Sequence, residues 1–266
     1  MSAVRPERSP SHDAEVNELP LTAQAVSLPL FATSRQRPGR ADFRGDLGSA
    51  ETASLATRQT DIAARAARWL LLDGSGVVFT MRHEQRLHAL AARCDTTGEE
   101  RIHQVIWGSG FDSLVDWGYF GEYDILSELK TECGYSGALE DLCADWCEGF
   151  ALNEELLDLV EGWSKQAQIA ILSDNGPLLC QSIERRYPRL HRLCRHIVFS
   201  CDIGACKPAA FAFGRAAQIL GAAPQDIFFI DDLVSNCRAA EALGFCAHTY
   251  LGPDELQGSV RPFLEG

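Results

Sequence analysis

The chain has 266 residues, 46% of them hydrophobic, and its 24 Lys and Arg against 37 Asp and Glu give a formal charge of −13. That balance excludes general nucleic-acid affinity, because a phosphate backbone needs cationic patches, yet one small phosphate can still be held by a local cation. No apolar run approaches the roughly 18 residues of a membrane span, so no membrane partner is expected, and the length allows a domain of ordinary size plus a smaller one.

Residues 1–60 read as a disordered or loosely packed extension. Pro6, Pro10, Pro20, Pro29 and Pro38 interrupt any regular element, and Glu7, Asp13, Glu15 and Glu18 argue against a transit peptide. The patch 28–31 is a candidate for docking on the domain surface. Residues 61–68 read as a short helix or linker. The apolar run 69–72 predicts a first strand that ends at Asp73. Gly74-Ser75-Gly76 then demands a turn, and 77–80 resumes an extended run. Helical spacing covers 83–93, 99–106, 123–133, 139–147 and, capped by Asn153, 154–166. The block 83–165 carries no convincing strand and reads as an all-helical insert. Beyond 167, strands are expected at 168–172, 196–200, 226–230 and 247–250, with helices at 178–187, 209–220 and 236–243. Strand–helix alternation with continuous apolar strands predicts an α/β fold: a Rossmann-like parallel sheet with helices on both faces. The expected organisation is a core from 61–82 and 166–266 with a helical domain at 83–165.

Ten cysteines occur, with no C-x-x-C pair. That spacing indicates neither a zinc ribbon nor a dithiol motif. With no secretory leader read in the chain, the thiols are expected to be reduced and the protein cytoplasmic.

Four polar signatures stand just after strands or open helices: Asp73-Gly-Ser-Gly, Ser173-Asp174-Asn175-Gly, Lys207-Pro and Asp231-Asp232. Alone, each has a plainer reading, a helix cap or a surface charge. In an open parallel sheet, however, residues past the strand C-termini converge on one crevice. There, Asp73 is a candidate nucleophile that can form an acyl phosphate. Asp231 and Asp232 beside it form a like-charged set that calls for a cation, and Mg²⁺ suits carboxylate oxygens. Lys207, one of three lysines with Lys130 and Lys165, can offset transition-state charge. Ser173 can donate to a phosphoryl oxygen beside the free N–H groups of a helix opened by Pro177.

In this order the four motifs resemble the haloacid dehalogenase (HAD) superfamily of phosphohydrolases, over roughly residues 66–266. Phe120-Gly121-Glu122, the pattern through Asn153 and the stretch 200–208 are similar to the glucose-1-phosphate phosphatase branch and to the phosphatase domain of some epoxide hydrolases. The resemblance implies that Asp73 is nucleophile and metal ligand, and that the Ser75 carbonyl also binds Mg²⁺. Ser173, Asp174 and Asn175 would line the phosphate site, Lys207 would bridge the phosphoryl group to Asp73, and Asp232 would ligate the metal with Asp231 close by. It implies a cap at 83–165 that selects a small phosphorylated metabolite. One departure stands out: most such phosphatases carry an acid/base Asp two residues after the nucleophile, and this chain has Ser75. His83, His88 or His103 are candidate substitutes. Trp107, Phe111, Trp117, Tyr119 and Phe120 are candidate aromatics of the cap, with packing as their plainer role. Two other readings stay open: a HAD-fold binding or regulatory protein with little catalysis, and carbon–halogen or carbon–phosphorus cleavage, the last needing Lys130 or Lys165 as a Schiff base. Oligomeric state is not legible.

Overall fold

The computed structural model describes residues 68–95 and 98–265. The expectations for 1–60, the patch 28–31 and residues 61–67 lie outside the described residues. The elements in order are β1 (Trp69–Asp73), β2 (Phe79–Met81), α1 (His83–Ala91), α2 (Glu99–His103), α3 (Phe111–Asp116), α4 (Glu122–Cys133), α5 (Leu139–Cys147), β3 (Phe150–Leu152) and α6 (Glu154–Trp163). They continue with β4 (Gln168–Ser173), α7 (Pro177–Arg186), α8 (Pro188–Leu193), β5 (His196–Phe199), α9 (Ser200–Ile203), α10 (Ala210–Leu220), β6 (Ile227–Asp231), α11 (Val234–Ala242), β7 (Cys246–Thr249) and α12 (Pro253–Glu265). A single turn of π-helix, Gln104–Gly108, follows α2.

Five strands form one parallel sheet in the order β5-β4-β1-β6-β7. From the central β1 the chain builds outward to β4 and β5, then returns to the other side for β6 and β7. The carboxyl end of β1 is therefore the topological switch point, where open sheets of this kind bind ligands. Alternation along β1 explains the two buried layers. Leu70 and Leu72 face one side with Ile169, Ile171, Phe228 and Ile230. Trp69 and Leu71 face the other with Leu172, Phe213 and Phe229. Phe213 is fully buried, edge-on to Phe229 at 5.2 Å and to Phe245 at 5.8 Å. Phe213→Ala is expected to cost about 3–5 kcal/mol, measured by urea denaturation. A cost near zero would mean that this layer is not packed as described.

The block 83–165 corrects the expectation of an all-helical insert. β2 and β3 pair antiparallel, Phe79 opposite Leu152 and Met81 opposite Phe150. Each is three residues long, too short to show a periodicity. Asn153 ties this ribbon down. Its Oδ1 accepts from Leu156 N at 3.2 Å, capping α6, while its Nδ2 donates to Val77 O and to the Tyr250 hydroxyl, both at 3.0 Å. The helices α3, α8, α9 and α12 were not expected, and Ser200, expected to end β5, opens α9. Among the described residues no helix is long and apolar enough to cross a membrane.

Candidate active site

β1 ends in Asp73, and the turn after it is built around two close approaches. A Cβ on Gly74 would stand 2.1 Å from Ser173 Oγ, and one on Gly76 2.3 Å from Asp232 Oδ2. Gly76 also has φ +95°, a left-handed conformation that side chains resist. The glycines thus let the loop after β1 sit against the ends of β4 and β6.

All eight sequence-predicted site residues gather here. Asp73, Asp231 and Asp232 each offer a carboxylate oxygen within 4.8 Å of the others. The buried Lys207 ammonium is ion-paired to Asp73, donates to Leu172 O at 2.9 Å and stands 3.3 Å from Asp231 Oδ2, so its charge is shared between two carboxylates. Asn175 Nδ2 donates to Ser173 Oγ at 2.9 Å and to Ser75 Oγ at 3.1 Å. Each hydroxyl therefore has an acceptor site filled and its own proton left to give. Asn175 N in turn donates to Ser200 Oγ at 3.1 Å. Both Asp174 oxygens accept from Lys207 N at 3.1 Å, so Asp174 fastens the lysine loop to β4.

Sequence reasoning missed the anchor of Asp231. Asn236 Nδ2 donates to both of its oxygens at 3.0 Å, and Leu233 N donates to Oδ1 at 2.8 Å. The signal was an Asn one turn into the following helix, facing back toward the strand end. Asp232 is exposed and, among the described residues, engages no side chain in a hydrogen bond.

Electrostatics follow from the crowding. Burial pushes the Asp73 carboxyl up to about 7; Lys207 opposes that, and Asp231 and Asp232 add to it. Asp232 is likewise raised by burial and by Asp231. Burial alone would lower Lys207, but Asp73, Asp174 and Asp231 outweigh it and raise its pKa. Three carboxylates against one ammonium leave an excess of negative charge, with Asp73, Asp231 and Lys207 buried and Asp232 at the exposed side. A divalent cation cancels that excess, so the donor set fits a hard, oxygen-seeking metal.

The other candidates are placed elsewhere. The His88 side chain is 84% exposed beside Glu99. His83 packs edge-on against Trp107 at 4.5 Å and near His103 at 5.5 Å. Trp107, Phe111 and Phe120 pack against the core, whereas Trp117 and Tyr119 are exposed, which corrects their packing role. Lys130 and Lys165 are exposed, leaving Lys207 as the buried lysine.

A parallel sheet with this strand order, carrying Asp, Ser, Lys and Asp-Asp past the carboxyl ends of its strands, defines the chain as having the fold of the HAD family of hydrolases. No protein-family model matches the sequence. A D-ribitol-5-phosphate phosphatase of Bacteroides thetaiotaomicron is 23% identical over 186 residues, covering 66% of this chain and 88% of that protein. A HAD family enzyme of the same organism superposes with a TM-score of 0.60 at 19% identity, covering 71% of this chain and 97% of that one. Its complex with magnesium and inorganic phosphate gives a TM-score of 0.58 at 18% identity, with 71% and 96% covered. A predicted HAD-like hydrolase of Porphyromonas gingivalis gives 0.61 at 21% identity, over 74% and 98% of the two chains.

Proposed function

We propose that the protein is a Mg²⁺-dependent phosphohydrolase of small organic phosphates, sugar-phosphate-like in substrate, that works through an aspartyl phosphate on Asp73. The observation that carries this reading is the buried Lys207–Asp73 pair, with Asp231 and Asp232 grouped around the same nucleophile. The relatives support it: one is a phosphatase of a phosphorylated polyol, and another is a HAD family enzyme solved with magnesium and phosphate.

Asp73, Asp231, Asp232 and the Ser75 carbonyl would hold Mg²⁺, which supplies charge neutralisation for the phosphoryl oxygens. Lys207 favours the ionised form of Asp73 and orients its free oxygen toward phosphorus. Ser173 donates a hydrogen bond to a phosphoryl oxygen while Asn175 fixes the rotamer of that hydroxyl. Attack by Asp73 forms the acyl phosphate and releases the alcohol; water then cleaves it to phosphate, one hard step becoming two easier ones. Residues 83–165 act as the cap that closes over the core, 61–82 and 166–266, and excludes water. The protein works in the cytoplasm.

The test is phosphate release from p-nitrophenyl phosphate and a panel of sugar and polyol phosphates. With EDTA, turnover is expected to fall on the order of 10³-fold and to return with Mg²⁺. Mg²⁺ alone is expected to raise the melting temperature, because it binds the folded state. A metal-loaded protein that hydrolyses no ester overturns the reading.

Ser75 favours a second reading, a binding or regulatory protein that takes phosphate without turning it over. Saturable phosphate binding with no hydrolysis selects it. Dehalogenation has no use for the carboxylate set, and a Schiff-base route would have to run through Lys130 or Lys165, both exposed.

A further inference from the structure

We propose that Asp116, the last residue of α3, is the acid that protonates the departing oxygen, the task for which Ser75 carries no suitable group. The proposal rests on the phosphohydrolase reading and deepens it.

An alkoxide leaves poorly without a proton, and positioned acid help is typically worth about 10²–10⁴-fold. The residues already at the site cannot give it. Asp73 is the nucleophile, Asp231 and Asp232 are set aside for the cation, and the Lys207 ammonium is paired with Asp73 and Asp231, which raise its pKa so that it keeps its proton. A serine hydroxyl is far too weak an acid near neutral pH. His83 is held low by burial and by Arg86, so it is neutral where an acid is needed.

Geometry points to α3. In-line displacement puts the leaving oxygen opposite the attacking Asp73 oxygen, beyond the carboxyl ends of the strands. α3 sits over that edge. A Cβ on Gly176, just past Asn175, would lie 2.4 Å from Val115 Cγ1 and 3.6 Å from Asp116 Oδ1. A Cβ on Gly118, two residues after Asp116, would lie 2.4 Å from Cys201 O. The helix is therefore seated on the loop after β4 and on α9 after β5, the segments that supply Asn175 and Ser200 to the site.

Asp116 is half-buried there, and its carboxyl takes part in no hydrogen bond or ion pair among the described residues. The charged and titratable groups facing it are Asp112 from its own helix, Asp174 after β4, Arg86 on α1, and the thiols of Cys201 and Cys206. Burial, then Asp112 and Asp174, push its carboxyl up to about 7, and Arg86 opposes them. Arg86 is itself an independent sign that this seam was built for charge. Its guanidinium is buried over the rings of Trp146 and Phe150, at 4.6 and 4.5 Å, and its Nε and Nη2 have no hydrogen-bond partner.

The proton balance closes. As the Asp73 oxygen bonds to phosphorus and the ester P–O bond breaks, the Asp116 proton passes to the leaving oxygen, giving the free alcohol and a carboxylate. As water attacks the acyl phosphate, Asp116 takes one of its protons, the P–O bond to Asp73 breaks and phosphate leaves. Asp116 ends as it began.

The test compares kcat/KM of the Mg²⁺-loaded full chain and of Asp116→Asn on two esters. p-Nitrophenolate leaves without a proton, whereas the phenolate of phenyl phosphate is about as basic as a tyrosine side chain. The variant is expected to lose at least tenfold more on phenyl phosphate than on p-nitrophenyl phosphate. For phenyl phosphate the wild-type rate is expected to fall above about pH 7, where the acid form is depleted, and the variant is expected to lack that limb. Ser75→Asp placed in the Asp116→Asn chain is expected to recover phenyl phosphate turnover, which a misfolded variant would not. Equal losses on both esters, or a basic limb that survives in Asp116→Asn, overturn the role of Asp116 while Asp73-dependent hydrolysis keeps the phosphohydrolase reading. A wild-type chain that cleaves neither ester removes both.

Discussion

Asp73→Asn is expected to lower phosphate-ester turnover by on the order of 10⁴-fold or more while leaving the fold intact. The amide keeps the shape of the carboxylate and an oxygen to accept from Lys207, but it has no charge with which to attack phosphorus. Its effect on stability runs the other way. Burial, together with Asp231 and Asp232, raises the Asp73 carboxyl to about 7, so ionising it in the folded protein costs stability. A raised carboxyl contributes stability below its unfolded pKa and loses it as pH rises through the folded value. Without metal, Asp73→Asn is therefore expected to be more stable than the wild type at pH 8, with the difference shrinking toward pH 5. Added Mg²⁺ reverses the comparison, since the wild type binds it with one more charge. Urea melts at both pH values, with EDTA or Mg²⁺, separate the cases. An inactive variant that is less stable at pH 8 in EDTA would show that the like charges at this site do not strain the fold.

The sheet was legible because its central strands are continuous apolar runs, as a parallel sheet covered on both faces requires; β1, β4 and β6 each lie within a residue of the expected span. The pair β2–β3 was not legible, since three residues fix no period and the partners are 70 positions apart. α3 was hidden for a related reason: six residues between Gly110 and Trp117 give fewer than two turns. α12 had the right spacing in Leu256, Val260 and Leu264, but Gly258 and Pro262 inside it argue locally for a break. At the site, residues with chemistry at strand ends could be read from type and position. What could not be read is what orients them. Asn236 holding Asp231, Asp174 holding the backbone of Lys207, and Asp116 standing over Gly176 depend on chain segments brought together from different layers, and no local pattern announces such a contact.

Lys207→Met is expected to damage stability and rate together. Among the described residues the lysine is the sole cation bonded within the carboxylate set, with its ammonium on Asp73, near Asp231 and on Leu172 O. Met retains much of the apolar stem but removes the charge, and breaking a buried pair in this way costs about 3–5 kcal/mol. Loss of the transition-state charge it supplies is expected to cost about 10²–10³-fold in kcat. The stability deficit carries a signature that a mere packing fault lacks. With the lysine gone, Asp73 loses the one group that lowers its pKa, so it titrates still higher and the folded state takes up protons that the unfolded chain does not. The deficit should therefore shrink as pH falls from 8 to 5, and it should shrink again when Mg²⁺ supplies the missing positive charge. Denaturation of Lys207→Met and wild type across that range, with and without Mg²⁺, reads both effects. A deficit that ignores pH and metal alike would mean that Lys207 holds the fold through its stem alone, and that the charge balance inferred for the site is wrong.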